Sequence, residues 1–222
     1  MAEGKNANFD WICKQYILLR LKHCYNQLFC RVIIILTHHL ETQTIMGIIY
    51  KNMGPADLHR IAEIDRAEEI LESYYMQNGE LCLRPDQQTV THFDKDELDE
   101  IIHRQHKLIN TGGRVIGAFD QNTLVGVASV NGVKRGVCHN YLKMDILYVS
   151  RSVRGQKVGQ NLLEQCKAIA KRLGAEKLYI SATPTKGTVD FYLKNGAVIT
   201  KEIDPELFAL EPEDIHLELK VG

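Results

Sequence analysis

The spacing of apolar and polar residues predicts a mixture of helices and strands from Met46 to the C-terminus. Apolar residues at helical spacing, preceded by capping residues and followed by glycines, are typical of amphipathic helices. They predict helices that begin near Gly54 and that span 67–76, 94–110, 155–173 and 187–194. Runs rich in β-branched and aromatic residues predict strands over 47–51, 115–119, 124–130, 139–149, 178–180, 197–200 and 215–219, with an irregular strand or hairpin within 80–93. This order predicts a mixed α/β domain.

Size and charge narrow the class of protein. A chain of 222 residues is long enough for one α/β domain with a substantial core and an appendage. Its formal net charge is −1, and no basic cluster or acidic tail stands out. We therefore expect neither nucleic acid nor a membrane among its partners.

Six cysteines are spaced irregularly and form no CxxC pair. This usage favours reduced thiols in a cytoplasmic protein over a disulfide framework. The nearest candidate for a metal cluster is Cys24, Cys30, His38 and His39, whose spacing matches no familiar zinc arrangement, so we predict no metal.

The first 45 residues form a separate region in this interpretation. Residues 11–36 are rich in apolar side chains, but four basic residues interrupt them, and the uncharged stretch is too short to span a membrane. We expect 1–45 to be a helical extension without a catalytic role, packed on the domain or on a second subunit of a homodimer. The domain itself is expected to be 46–222.

The segment LYVSRSVRGQKVGQNLL, residues 147–163, carries the most specific signal. It reads as a buried strand, a turn containing glycine, and the start of an amphipathic helix. The first N–H groups of a helix lack intrahelical partners, and with the positive end of the helix dipole they form an anion site. The turn therefore predicts a bound phosphorylated cofactor, although an ordinary helix start has the same pattern.

From Met46 onward the chain resembles the GNAT superfamily of acetyl-CoA-dependent N-acetyltransferases. The resemblance rests on LYV, then RGQKVG, then FYLKNGA, in that order. It implies a mostly antiparallel, twisted α/β sheet flanked by helices, whose central strands splay apart to bind the cofactor. The family's loop pattern is Gln/Arg-x-x-Gly-x-Gly/Ala, and Lys157 stands where its first Gly is usual.

The same resemblance assigns residues to acetyl-CoA. The backbone of Leu147, Tyr148 and Val149 would pair with the pantetheine arm. The pyrophosphate would lie on the loop formed by Arg154, Gly155, Gln156, Lys157, Val158, Gly159 and Gln160. Thr185 stands where the family often has a cofactor-binding Asn, seven residues before Tyr192.

For catalysis the resemblance implies that Tyr192 protonates the leaving sulfur, although a buried core aromatic would fit the same position. Asp145 is the candidate general base, and a structural pairing with a nearby Lys or Arg is the alternative. His139, Glu68 or a chain of waters could also take the amine proton. Strand alternation places Asp145, Leu147 and Val149 on one face unless a bulge intervenes.

The predicted reaction is direct transfer of acetyl from acetyl-CoA to a primary amine, with a small molecule favoured over a protein amine as acceptor. Residues 67–93 would form much of the acceptor site. The acidic residues Asp204, Glu206, Glu211 and Asp214 could form a rim attractive to a cationic amine, or could be solvated loop charges. A non-catalytic module that senses acyl-CoA remains the alternative.

Overall fold

The computed structural model describes residues 47–222, and residues 1–46 lie outside the described part. The expected helical extension, its part in a homodimer, and the residues Cys24, Cys30, His38 and His39 all fall in that region. These expectations stay predictions.

A seven-stranded sheet runs through the centre of the described domain, in the order β1-β4-β5-β6-β7-β9-β8. All neighbouring strands are antiparallel except β6 and β7, which are parallel. A separate antiparallel hairpin consists of β2 and β3. The strands are β1 Ile49–Met53, β2 Glu68–Gln77, β3 Glu80–Val90, β4 Arg114–Asp120, β5 Thr123–Arg135, β6 Tyr141–Val149, β7 Lys177–Ala182, β8 Val198–Ile199 and β9 Ile215–Lys220.

Helices cover both faces of the sheet. They are a 3-10 helix Pro55–Glu63, α1 Lys95–Asn110, a short 3-10 turn Arg151–Val153, α2 Val158–Arg172, α3 Lys186–Lys194 and α4 Pro205–Leu210. The larger hydrophobic cluster joins α2 and α3 to one face, and a second cluster joins the first 3-10 helix and α1 to the other. This arrangement confirms the predicted mixed, mostly antiparallel sheet flanked by helices.

The prediction of a helix over 67–76 is wrong, because this segment is strand β2. Asn78 and Gly79 both have positive φ and form a two-residue turn between β2 and β3. Asn-Gly is the preferred sequence for such a hairpin turn, and here it joins two strands and does not end a helix. The segment thus forms a hairpin of two long strands over Glu68–Val90.

One helix boundary and one additional helix also differ from the prediction. The helix expected from Gly155 begins at Val158, because Gly155 and Lys157 have φ values of 77° and 64°, outside the right-handed helical region. Helix α4 was not anticipated from the sequence. Its N-cap is Asp204, whose side chain accepts hydrogen bonds from the first turn, and Pro205 starts it.

An extra residue in β6 changes which side chains share a face. Ala128 pairs with Leu147 while Val130 pairs with Met144, so β6 spans three residues where β5 spans two. Such a bulge reverses the alternation beyond it. The prediction that Asp145, Leu147 and Val149 share one face is therefore wrong. Leu147 and Val149 pack on the α2 side, and the side chain of Asp145 bonds to α1 on the other side.

Strands β6 and β7 separate after a short parallel pairing. Their register runs from Tyr141↔Lys177 to Met144↔Ile180 and ends there. From Asp145 to Val149, β6 pairs only with β5 among the described strands. One edge of β6 therefore presents backbone groups without a strand partner, as the predicted splaying of the central strands requires.

The core beneath this opening depends on α2. Leu162 is fully buried and lies over Gly126 of β5, so we expect Leu162→Ala to lower the free energy of unfolding by about 2–5 kcal/mol. Leu71→Ala is the matched control, since Leu71 is 66% exposed, and its effect should stay within about 0.5 kcal/mol. Urea unfolding measures both, and equal losses in the two variants would contradict this packing.

Candidate active site

A cleft of about 750 Å³ opens where β6 and β7 separate. The start of α2 and the start of α3 both line it, and the beginning and end of the β2–β3 hairpin border it. Its lining comprises Arg66, Glu68, Ile70, Val90, Glu97, Met144, Asp145, Ile146, Leu147, Tyr148, Val149, Val153, Arg154, Gly155, Lys157, Val158, Gly159, Gln160, Ser181, Ala182, Thr183, Thr185, Gly187, Thr188, Phe191, Tyr192 and Asn195.

Most of the residues singled out from the sequence line this one cleft. They include the strand Leu147–Val149, the loop residues except one, Thr185, Tyr192 and Asp145. Gln156 does not line it, because its side-chain amide turns back to donate to the carbonyl of Ser152 at 3.2 Å. His139 is exposed in the loop before β6 and does not line it either.

The loop before α2 presents a row of backbone N–H groups to the cleft. The first intrahelical bond of α2 runs from Asn161 N to Lys157 O at 2.9 Å, so the amides of 157–160 precede the helical ladder. These amides and the positive helix end make the site suited to an anion. Gly159 leaves space beside these amides, because a Cβ at this position would lie 3.4 Å from the ring of Phe191.

Lys157 is the N-cap residue of α2 and has left-handed backbone geometry, with φ 64° and ψ 11°. A glycine adopts this conformation without the steric cost that a Cβ brings. The family pattern places Gly at this position, and the structure shows the conformational reason. The Lys157 side chain is exposed and makes no hydrogen bond or ion pair among the described residues, so its ammonium group is free to meet a ligand.

The guanidinium of Arg154 has a different role from the amides that follow it. Its Nε donates to the carbonyl of Val149, and its two terminal nitrogens donate to the carbonyls of Ala67 and Arg66, each at 3.2 Å. An ion pair with Glu68 at 3.5 Å completes the set. Arg154 therefore connects the loop to the first residues of the hairpin.

Tyr192 lies on α3 with 6% of its surface exposed, and it lines the cleft. Its hydroxyl makes no hydrogen bond within residues 47–222. Burial raises the pKa of this hydroxyl, with smaller contributions from Cys166 and Tyr148. The phenol therefore keeps its proton at neutral pH and can donate it to a group that enters the cleft.

Thr185 acts as the N-cap of α3. Its Oγ1 accepts a bond from the Thr188 amide at 3.4 Å and donates to the Thr188 hydroxyl at 2.9 Å. This cap fixes the first turn of the helix that carries Tyr192. The side chain of Thr185 is thus occupied within the protein, although the residue borders the cleft.

Asp145 is held by several cationic and amide groups. Its Oδ2 accepts bonds from Arg104 Nε at 2.8 Å and Gln105 Nε2 at 2.7 Å, and Lys143 Nζ lies 3.5 Å from Oδ1. Burial raises the pKa of Asp145, but Arg104, Lys143 and the two hydrogen bonds lower it more, so it lies below the ordinary value. A carboxylate stabilised in this way is a weak base, and the structural pairing considered as the alternative is the one observed.

The cleft also holds an ion pair that the sequence did not reveal. Arg66 donates to Glu97, the third residue of α1, and its guanidinium lies 4.7 Å from the centre of the Phe93 ring. Phe93 in turn makes an edge contact with Tyr148 at 5.1 Å. This chain of contacts crosses from the hairpin to β6 by side chains distant in sequence, so no local motif could have indicated it.

The acidic tail does not form a rim on the cleft. Asp204 and Glu206 pair with Arg135 at 2.9 and 3.1 Å, and Glu211 lies 3.6 Å from Lys143. None of these three, nor Asp214, is among the lining residues. Burial and the nearby Glu211 carboxylate raise the pKa of Asp214 to about 6.

With this geometry established, comparison with known proteins decides the family. Residues 67–197, more than half of the chain, match the model of the Acetyltransferase (GNAT) family. The chain belongs to the GNAT acetyltransferase family. It is accordingly an acetyl-CoA-dependent acetyltransferase by family membership, and the resemblance read from its motifs is confirmed.

Solved structures of GNAT proteins share the fold at low sequence identity. Nourseothricin acetyltransferase has a TM-score of 0.60 and 18% identity, covering 79% of this chain and 99% of its own. A putative streptothricin acetyltransferase from Bacillus anthracis, solved with acetyl coenzyme A, has a TM-score of 0.55 and 19% identity, and the match covers 79% of this chain and 98% of its own. The PaiA N-acetyltransferase from Thermoplasma acidophilum, solved with coenzyme A, has a TM-score of 0.51 and 19% identity, and the match covers 79% of this chain and 99% of its own. The search of curated proteins gave no match.

Residues 47–222 contain neither a candidate membrane-spanning helix nor a candidate metal cluster. No described helix is long and apolar enough to cross a membrane. No group of three or more His, Cys, Asp and Glu residues in this range is arranged to hold a metal ion.

The left-handed geometry of Lys157 leads to a stability prediction. Left-handed backbone costs a residue with a Cβ about 1–2 kcal/mol, and glycine loses about 0.5–1 kcal/mol through its greater freedom in the unfolded chain. We expect Lys157→Gly to raise the free energy of unfolding by about 0.5–1 kcal/mol, and Lys157→Ala, which keeps the Cβ, to give no gain. Urea unfolding of both variants measures this, and a gain in the alanine variant alone would contradict it.

Asp214 should make stability depend on pH. Its pKa is about 6 in the folded protein and about 3.9 in the unfolded chain, so folding favours the neutral form. The stability that the neutral carboxyl contributes is fully present below about pH 4 and is lost as the pH rises through 6. We expect Asp214→Asn to raise the free energy of unfolding by on the order of 1–3 kcal/mol at pH 7.5 and by almost nothing at pH 4.

Urea unfolding at the two pH values tests this, with Glu213→Gln as the control because Glu213 is exposed. An equal effect of Asp214→Asn at both pH values would rule out the titration of Asp214 as its cause.

Proposed function

We propose that this GNAT protein transfers acetyl from acetyl-CoA directly to a primary amine, with small-molecule amines as its acceptors. The observation that carries the proposal is the cleft at the separated strands β6 and β7. It combines an unpaired strand edge, a helix N-terminus and a buried phenol whose hydroxyl has no partner in the described protein.

The cofactor follows the shape of this cleft. The pantetheine arm carries amide groups, and it hydrogen-bonds the free edge of β6 at Leu147–Val149 as a short extra strand would. The pyrophosphate binds the backbone amides of 157–160 together with that of Gly155, and the ammonium of Lys157 adds an attraction for the phosphates. Thr185 acts through the start of α3, which its side chain caps.

Acetyl transfer then proceeds in one ternary complex. The amine nitrogen attacks the thioester carbonyl carbon, the C–N bond forms, and the C–S bond breaks. The departing thiolate takes the hydroxyl proton of Tyr192, which is later replaced from solvent. Burial favours the protonated form of this phenol, and a positioned acid contributes about 10²- to 10⁴-fold to such a step.

The amine must lose a proton, and we do not assign Asp145 as the general base that takes it. Its bonds to Arg104 and Gln105 make it an anchor between β6 and α1. Glu68 is better placed, because its ion pair with Arg154, at 3.5 Å, is longer than the two hydrogen bonds that hold Asp145. Glu68 also lines the cleft, and its Oε1 would lie 3.2 Å from a Cβ at Gly187, near the start of the helix that carries Tyr192. Water in the cleft is the alternative route.

The hairpin favours a small acceptor over a folded protein. It borders the cleft with Glu68, Ile70 and Val90 and is hydrogen-bonded to the start of α3, so the acceptor end is partly enclosed. Two of the structural neighbours are named for small antibiotics, which agrees with this choice.

A turnover assay separates the proposal from its alternatives. The protein is mixed with acetyl-CoA and a panel of small primary amines and lysine peptides, and free thiol is followed over time. Thiol release that depends on a small amine supports the proposal, whereas release only with peptides indicates a protein acceptor. Binding of CoA without any release indicates a sensor.

The free thiols Cys82, Cys138 and Cys166 agree with a cytoplasmic protein.

Tyr192→Phe tests the acid directly. We expect kcat to fall by about 10²-fold or more while the Kd for CoA changes little, because only the proton donor is lost. Tyr50→Phe is the control, since Tyr50 lies on β1 and does not line the cleft, and its hydroxyl accepts a bond from Asn161 of α2 at 3.1 Å. Steady-state kinetics and calorimetry measure the two quantities. An unchanged kcat in the Tyr192 variant would remove Tyr192 from the mechanism.

A further inference from the structure

Arg154 begins the phosphate-binding loop, yet its guanidinium is directed to the hairpin. All three of its nitrogens donate to main-chain carbonyls, those of Val149, Ala67 and Arg66, and Glu68 pairs with it. A planar guanidinium presents its donors in a fixed fork, so this set of contacts specifies one orientation. The side chain thus joins the end of β6 to the residues that lead into β2.

Residues further along β2 are hydrogen-bonded to the start of α3 and to the residue before it. The amide of Tyr74 donates to the carbonyl of Pro184 at 2.7 Å, and the Tyr74 hydroxyl donates to Asp190 at 2.9 Å. Ser73 forms an isolated bridge with Thr185, the cap of α3. Strand β2 is therefore held both by the loop that precedes α2 and by the start of α3.

We propose that Arg154 is a positioning residue that couples the cofactor loop to the acceptor hairpin, so that binding of the CoA pyrophosphate steadies residues 68–90. A ligand on the amide of Gly155 and on those that follow fixes the backbone from which Arg154 extends. The fixed guanidinium then holds the carbonyls of Arg66 and Ala67, where β2 begins. This inference rests on the proposed function only for the statement that the hairpin borders the acceptor.

The contacts distinguish this role from phosphate binding. A guanidinium that served the pyrophosphate directly would leave donors free toward the helix N-terminus, as the side chain of Lys157 does. Arg154 instead uses three of its five N–H groups, one on each nitrogen, to donate to carbonyls of the protein, and Glu68 lies 3.5 Å from one terminal nitrogen. Loss of the Arg154 side chain should therefore weaken the connection between two ligand sites more than it weakens CoA binding.

Hydrogen exchange of the full chain, with and without saturating CoA, tests this coupling. In the wild-type protein we expect CoA to slow amide exchange in residues 68–90 by about fivefold or more. In Arg154→Ala the slowing should disappear, while the Kd for CoA, measured by calorimetry, should change by less than about threefold. Arg154→Lys keeps the charge but lacks the fork, and it should behave in the same way.

Arg151→Ala is the matched control, because Arg151 is an exposed arginine just before the loop, and its side chain makes no hydrogen bond or ion pair within residues 47–222. This variant should retain both CoA binding and the slowed exchange. Where an acceptor amine is available, Arg154→Ala should raise the KM for the amine and leave the KM for acetyl-CoA nearly unchanged.

Three results would overturn the inference: slowed exchange that persists in both Arg154 variants, no slowing in the wild-type protein with CoA bound, or a Kd for CoA raised tenfold or more in Arg154→Ala but not in Arg151→Ala. The exchange measurement needs no turnover. Intact coupling without amine acetylation would therefore reject the proposed function alone, and acetylation without coupling would reject this inference alone.

Discussion

The separation of β6 from β7 after Met144 is the constraint on which the rest of the site depends. In a continuous sheet the backbone groups of Asp145–Val149 would bond to the next strand, and no cleft would exist. The bulge in β6 occurs at the same place and turns the side chains beyond it to new faces. One local irregularity thus supplies both an open edge for a ligand and an anchor to the helix behind it.

Most charged residues around the cleft bond to other groups of the protein and are not free for a ligand. Asp145 is bound by Arg104 and Gln105, Glu97 by Arg66, and Arg154 by carbonyls of the hairpin entry. Because burying an unpaired charge is costly, these pairs stabilise a water-accessible opening in the middle of a sheet. What remains for ligands in the described protein is a small set of groups: the helix amides, the Lys157 ammonium, the Tyr192 hydroxyl and the Glu68 carboxylate, whose ion pair with Arg154 is 3.5 Å long.

Features defined by local sequence were predictable, and features defined by distant contacts were not. The strand LYV, the turn before α2 and the helix carrying Tyr192 each have a local signal, and all three lie on one cleft. The hairpin was missed although Asn78-Gly79 is a strong turn signal, because the flanking residues also fit a helical spacing. The bulge in β6 and the contacts of Arg154 arise from pairing with segments far along the chain, which no periodicity records.

The proposed function requires the open edge of β6 to bind the cofactor. A crystal structure of the full chain with CoA would show whether it does. We expect electron density for the pantetheine arm hydrogen-bonded along Leu147–Val149, with the pyrophosphate on the amides that begin α2. Pantetheine bound elsewhere on the protein, with this edge of β6 left unpaired or closed by β7, would rule out this binding mode.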